Sequence, residues 1–130
     1  MRPDLRIEEA FLDLCGPSFD EVVGRLAAEG FGIITQIDMQ ATVRAKIGEE
    51  MLPYRIIGAC NPKLAHQAVQ HDPRIGVLLP CNVVLYQRED GKAVLGAIDP
   101  MQSLGAQGGA LGEVAQMVKG KLERFMASMS

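Results

Sequence analysis

Two short motifs in this sequence carry the residue types suited to thiol and metal chemistry. Residues 60–62 read Cys-Asn-Pro and residues 80–82 read Pro-Cys-Asn, so each motif joins a thiol to an amide and a proline. One imidazole follows the first motif closely. If the strands that carry the two motifs are neighbours, these groups converge at one end of a sheet. The candidate ligand-binding residues are Cys60, Asn61, His66, Cys81 and Asn82.

The first chemistry that such a set would support is thiol catalysis. Cys60 ends a predicted strand immediately before a helix start, where unpaired N–H groups and the helix dipole favour an anion and lower a thiol pKa. His66 would then be the base and Asn82 would orient a substrate. Gly58 is expected on the same strand face as the thiol, leaving room beside it. Cys60 and His66 are therefore the candidate catalytic residues, with a sulfur carrier as a variant of this reading.

The second chemistry is soft-metal binding by Cys60, His66 and Cys81, since thiolate and imidazole suit zinc, copper or iron. Their spacing, C-x5-H-x14-C, matches no standard zinc module. A structural zinc site needs a fourth ligand, which Asp99 or a partner subunit would supply. Zinc is the cofactor considered on this reading.

The third chemistry is ligand binding without bond-making, with the amides of Asn61 and Asn82 as polar anchors. A structural explanation stands beside all three. Cysteines on apolar strands commonly act as small core residues, and Asn61 is accounted for by helix capping alone. For Cys60 and Cys81, the structural role and a functional one both remain open from the sequence.

The elements that must position these residues follow from apolar periodicity and from turn signals. A strand is indicated weakly between Leu5 and Leu14, and Ser18 and Glu21 form a capping box for the first helix. Gly30 ends that helix. The next predicted elements are a strand at Gly32–Asp38, a short helix at Met39–Ile47, a strand at Tyr54–Cys60 and a helix from Asn61 to about His71.

In the second half, the strongest turn signal is Asp90-Gly91, which predicts a hairpin. A long strand from Ile75 to Arg88, interrupted by Pro80, precedes it, and Ala93–Ile98 returns. Residues 102–109 are predicted to form a loop, and an amphipathic helix from Leu111 closes the chain. This order predicts an α+β fold in which one antiparallel or mixed sheet has helices on one face.

Composition restricts the classes of function. A length of 130 residues fits a single domain spanning 1–130. The net charge of −3 and the absence of basic runs disfavour nucleic-acid binding. No apolar run is long enough to span a membrane, and acidic residues interrupt the N-terminal segment where a secretory signal needs apolar ones. Three cysteines without an export signal predict reduced thiols and a cytoplasmic location.

Three segments carry a family resemblance: EGFGIITQID, YRIIGACNPKLAH and GVLLPCNVVLY. Over residues 18–100 or so, the chain resembles the bacterial and archaeal family known as domain of unknown function 302. The resemblance implies a TATA-binding-protein-like β-α-β4-α fold, with the two short helices after Asp38 and Cys60 as insertions, and it implies a homodimer. It implies no activity. Gln40 stands where that family often has lysine.

We therefore expect a homodimeric α+β domain that binds a small ligand or a metal ion near Cys60, His66 and Cys81. The Met-rich, amphipathic C-terminal helix adds to the expectation of a dimer. The alternatives are a thiol enzyme or sulfur carrier that uses Cys60, and a non-catalytic interaction module with inert cysteines. Cys60 is expected to be the most reactive thiol, ahead of Cys15 and Cys81.

Overall fold

The computed structural model describes the backbone of residues 5–9, 16–91 and 93–129, and the side chains of residues 19–91 and 93–129. The prediction for Cys15 lies outside these residues. In chain order the strands and helices are β1 (Leu5–Glu9), α1 (Gly16–Ala28), β2 (Gly32–Asp38), α2 (Met39–Ile47), β3 (Tyr54–Cys60), α3 (Pro62–His71), β4 (Cys81–Gln87), β5 (Ala93–Ile98) and α4 (Gly109–Met129).

The five strands form one sheet in the order β1-β5-β4-β3-β2, and every neighbouring pair is antiparallel. The predicted β-α-β4-α arrangement with inserted short helices is confirmed. The hairpin at Asp90-Gly91 is confirmed too, since Gln87 lies opposite Ala93 across it. Because β3 and β4 are neighbours, both cysteine motifs reach the same end of the sheet.

The hydrophobic core lies between the sheet and the helices α1, α3 and α4. The predicted apolar face of α4 is buried there, with Phe125 fully buried and Leu122 nearly so. Burial of such a face stabilises a helix far more than its intrinsic propensity does. In contrast, α2 is described over its full length and has no buried residue.

Three element boundaries differ from the sequence expectation. The helix α1 begins at Gly16, two residues before the predicted cap at Ser18, whose side chain lies outside the described part. Residues Pro73–Leu78 form a 3-10 helix instead of the start of a long strand, and β4 begins only after a cis Leu79–Pro80 bond. Residues 102–109, expected as a loop, include short 3-10 turns. Pro80 lacks the backbone N–H that a β-ladder needs, so β4 begins only after this residue.

No helix in the described ranges is both long and apolar enough to cross a lipid bilayer.

Candidate functional site

An open apolar cavity of about 280 Å³ lies at the end of the sheet where β3 and β4 carry the two motifs. Its walls come from the sheet end, from α3 and from α4. They also include residues of the segments that precede β2 and β4. The lining residues are Phe31, Ile34, Ala59, Cys60, Asn61, Leu64, Ala65, Ala68, Leu79, Pro80, Cys81, Leu104, Val114 and Val118.

Strand register brings the two predicted thiols to this cavity. Ala59 on β3 lies directly opposite Cys81 on β4, and Cys60 is the next residue along β3. Both cysteines line the cavity, and they are close enough for the charge of Cys60 to raise the pKa of Cys81. Cys81 is buried at 8% exposure, whereas Cys60 is half-buried. Both are free thiols, and their predicted convergence is observed.

Asn61 contributes the amide of the cavity wall and caps α3 at the same time. Its Oδ1 accepts a hydrogen bond from the backbone N–H of Leu64 at 3.2 Å, as helix N-caps do. This fixes the amide so that Nδ2 is the free end. Nδ2 packs against the backbone of Gly30, where an added Cβ would lie only 3.0 Å away. Gly30 also has a positive φ of 86°, so two requirements select glycine there.

Burial raises the pKa of both thiols. The pKa of Cys60 lies above its ordinary value because the sulfur is partly removed from water. Burial raises the pKa of Cys81 to about 11, and the neighbouring charge of Cys60 adds to the effect. The expectation that the helix start lowers the pKa of Cys60 is therefore wrong. Both groups are protonated thiols near neutral pH.

The reason is that the first turn of α3 offers little to an anion. Pro62 has no N–H, and the N–H of Leu64 is used by the Asn61 side chain. The N–H of Ala65 donates to the backbone oxygen of Asn61 at 2.9 Å. Most of the donors that would stabilise a thiolate are therefore absent or already bonded, and desolvation decides the direction of the shift.

His66 does not join the cysteines. It is exposed, while Leu64 and Ala68 supply the buried face of α3, and it does not line the cavity. On this geometry, His66 is neither a base for Cys60 nor a partner in a metal site. Within residues 19–91 and 93–129, no three His, Cys, Asp or Glu side chains form a group able to hold a metal ion. The predicted zinc set of Cys60, His66 and Cys81 is thus not assembled.

Asp99, considered as a fourth zinc ligand, is committed elsewhere. It is buried, and its Oδ1 accepts a hydrogen bond from the N–H of Met101 at 3.0 Å. Its Oδ2 forms an ion pair with Lys119 at 3.2 Å. These contacts join the end of β5 to α4, which is a structural role.

Asn82 lies on the other face of the sheet. It pairs with Gly58, one position from the pair formed by Ala59 and Cys81, so strand alternation directs it away from the cavity. The prediction that Gly58 leaves space beside the thiol is also wrong. A Cβ on Gly58 would lie 2.0 Å from Thr35 Oγ1 and 2.9 Å from Pro80 Cγ. Those two side chains already fill the space over this glycine.

The apolar walls were not identified from the sequence. Phe31, Leu64, Val114 and Val118 come from separate segments, and their types are ordinary for a core. The one usable signal was the run of small residues on the buried side of α3, where Ala65 and Ala68 leave volume that larger residues would fill.

Comparisons with known proteins agree with the architecture. The sequence profile of the family described as "Domain of unknown function DUF302" matches residues 16–129. The structure is similar to a crystal structure of an uncharacterized conserved DUF302 protein from Bacillus stearothermophilus, with a TM-score of 0.86 and 23% identity. That similarity covers 97% of this chain and 98% of the other, and at this identity it shows a shared fold. None of the curated proteins matches the sequence.

Proposed function

The chain belongs to the DUF302 family, and from its own geometry we propose that it is a small-molecule-binding domain whose ligand occupies the cavity beside Cys60 and Cys81. The observation that carries this proposal is the cavity itself. Its walls are almost entirely apolar, and it opens to the solvent at the end of the sheet. Ligand sites are commonly concave, apolar and supplied with few polar groups, which this cavity matches.

The volume restricts the size of the ligand. A cavity of 280 Å³ lies near the lower end of the range seen for ligand sites. An apolar cavity of about 150 Å³ accommodates benzene in another protein, so this one has room for about ten non-hydrogen atoms. A short aliphatic or a single-ring compound is the expected class.

The Asn61 amide restricts the ligand's chemistry. Its Oδ1 is held by the Leu64 N–H, and its Nδ2 makes no hydrogen bond within the described residues. It is the polar side chain of the wall other than the thiols. A ligand with one carbonyl or ether oxygen on an apolar body would accept from Nδ2 and bury the rest of its surface.

The test is a fragment screen by ligand-observed NMR, using single-ring ketones and the matching hydrocarbons. We expect the ketones to bind more tightly, and Ala65→Leu to abolish binding by filling the part of the cavity that α3 lines. Ala27→Leu places the same change on an exposed position of α1 and is the matched control. Equal binding to both variants, or no binding to the native chain, would rule the proposal out.

The thiol-enzyme alternative loses its physical basis at this site. Catalytic cysteines are accessible and have a lowered pKa, whereas burial raises the pKa of both Cys60 and Cys81. His66, exposed and away from the cavity wall, provides no base. Ligand binding needs neither property.

We also propose that the chain forms homodimers through β2, because one specific observation favours a second copy. β2 is an edge strand of the sheet, and it exposes Ile34 at 57% and Ile37 at 43%. An exposed apolar edge strand is normally covered, and two copies of one strand pair antiparallel about a two-fold axis. The sequence expectation of a dimer rested on the family resemblance and on the apolar face of α4, and that face is largely buried in its own core.

Sedimentation equilibrium tests the dimer. The native chain should sediment at twice its mass of 14.1 kDa, and Ile37→Lys should shift it to the monomer. Val77→Lys, at an isolated site that is 88% exposed, is the control and should remain dimeric. A native chain that stays monomeric at tens of micromolar would exclude an interface of standard size.

A further inference from the structure

The two thiols Cys60 and Cys81 are a pair of sulfur donors that line one open cavity. Cys60 and Cys81 lie on neighbouring strands, one register step apart, and both line the cavity. Neither is in a disulfide. An apolar ligand has no need of two thiols on one wall, so their convergence calls for a separate explanation.

We propose that Cys60 and Cys81 together bind one soft monovalent cation, Cu(I) or an ion of the same chemistry, as a two-thiolate site within the cavity. Soft thiolate ligands select Cu(I) among the biological metals. Binding forms two sulfur–copper bonds and releases one proton from each thiol to solvent. No electron is transferred, so the step needs no oxidant or reductant.

The other donors around the cavity exclude the common alternatives. Among the described lining residues, none carries a carboxylate or an imidazole, so magnesium and calcium find no oxygen ligands. A structural zinc ion needs four ligands, and no third His, Cys, Asp or Glu joins the pair in the described ranges. Asp99 is held by Lys119 and cannot approach without breaking that ion pair. A two-sulfur set therefore suits an ion that accepts two ligands.

The charge of the complex fits its position. Two thiolates and one monovalent cation leave a single negative charge in apolar surroundings, which would be costly without a donor nearby. Asn61 follows Cys60 directly and lines the same cavity, and its Nδ2 makes no hydrogen bond within the described residues. That amide would donate to a thiolate sulfur. The same Nδ2 would otherwise serve the organic ligand, so ion and ligand are expected to compete.

The test is an anaerobic titration with Cu(I) in competition with a chromogenic Cu(I) chelator. The starting protein is Cys15→Ser, which leaves the two cavity thiols as its only cysteines. It should retain one copper per chain. Cys60→Ala and Cys81→Ala in the same background should each weaken binding by at least about a hundredfold, because the second thiolate binds intramolecularly at high effective concentration.

Three results would overturn the inference: no copper retained against the chelator, retention by either single variant equal to that of the starting protein, or native mass spectra in which copper bridges two chains. Far-UV circular dichroism and melting temperature check the folding of the variants. If Cys81→Ala does not fold, copper retention by Cys60→Ala, at the half-buried position, still tests the two-thiolate site.

The copper ion would occupy the same open cavity as the organic ligand of the proposed function. The two experiments test the ion and the ligand independently. Fragment binding without copper retention removes the ion site alone, since fragments need only the apolar walls. Copper retention without fragment binding removes the organic ligand and keeps the thiol pair. Displacement of a bound ketone by Cu(I) would show that the ion and the ketone occupy the same cavity.

Discussion

The motifs at residues 60–62 and 80–82 contain the same three residue types, yet the fold gives them different tasks. In the first, Cys60 is half-buried and Asn61 caps a helix while lining the cavity. In the second, Cys81 is buried and Asn82 is exposed on the opposite face of the sheet. The prolines differ as well: Pro62 opens a helix, whereas a cis bond precedes Pro80.

The difference follows from where each motif lies in its strand. The first spans a strand end and a helix start, and both Cys60 and Asn61 line the cavity there. The second lies at the start of a regular strand, where alternation sends successive side chains to opposite faces. Cys81 therefore faces inward and Asn82 outward. The residue types determine which contacts each motif is able to make. The position of each residue in its strand determines which of these side chains reach the cavity.

The largest loss of stability is expected at Gly58, which lies on the strand of the first motif and packs against Pro80 of the second. An added Cβ would meet Thr35 Oγ1 at 2.0 Å and Pro80 Cγ at 2.9 Å. Gly58→Val should lower the free energy of unfolding by about 3 kcal/mol, the cost of severe overpacking. Urea unfolding measures it.

Gly24→Ala is the matched control, because a Cβ there meets nothing within 4 Å on the helix α1. It should be neutral or should stabilise by up to about 1 kcal/mol. Gly58→Ala should also lower stability, and Thr35→Ala in that background should recover part of the stability lost. If Gly58→Val were as stable as the native chain, the two motifs would not be packed against each other at this point.

An intermediate effect is expected from the buried thiol at alkaline pH. The pKa of Cys81 is raised to about 11 in the folded state, from 9.0 for an unperturbed thiol. The folded state therefore holds its proton longer than the unfolded state does. The stabilisation from this difference is complete below about pH 8 and is lost as pH rises from about 9 to about 11.

We expect this loss to amount to about 2 to 3 kcal/mol at most, from the size of the pKa shift. The measurement is urea unfolding of metal-free native protein and of Cys81→Ala across the same pH range. Lysine and tyrosine titration is common to both, so the native protein should show the steeper decline. Cys60→Ala should flatten the curve less. Parallel curves for native protein and Cys81→Ala would contradict the raised pKa of Cys81 in the folded state.

The smallest effect compares the two asparagines directly. Asn61→Ala removes the side-chain cap of α3 and should cost about 1 kcal/mol of stability. Asn82→Ala changes an exposed side chain and should stay within about 0.5 kcal/mol. Asn61→Asp keeps the cap acceptor and should be close to native in stability, while losing ketone binding. Equal losses at Asn61 and Asn82 would remove the distinction between the motifs.

The sequence by itself determined the order of elements, because each depends on local signals. Asn61-Pro62 specifies a helix start, Asp90-Gly91 a hairpin, and the apolar stripe of α4 a buried face. The sequence placed one thiol at the end of one strand and the other at the start of a later strand, and the pairing of β3 with β4 in the folded sheet brought them to one end. The tertiary structure decided the rest. Whether His66 faced the strand, whether Asn82 faced in, and whether Cys60 became acidic depended on strand phase, helix rotation and desolvation. These quantities are set by packing between distant segments, so no local spacing in the chain encodes them.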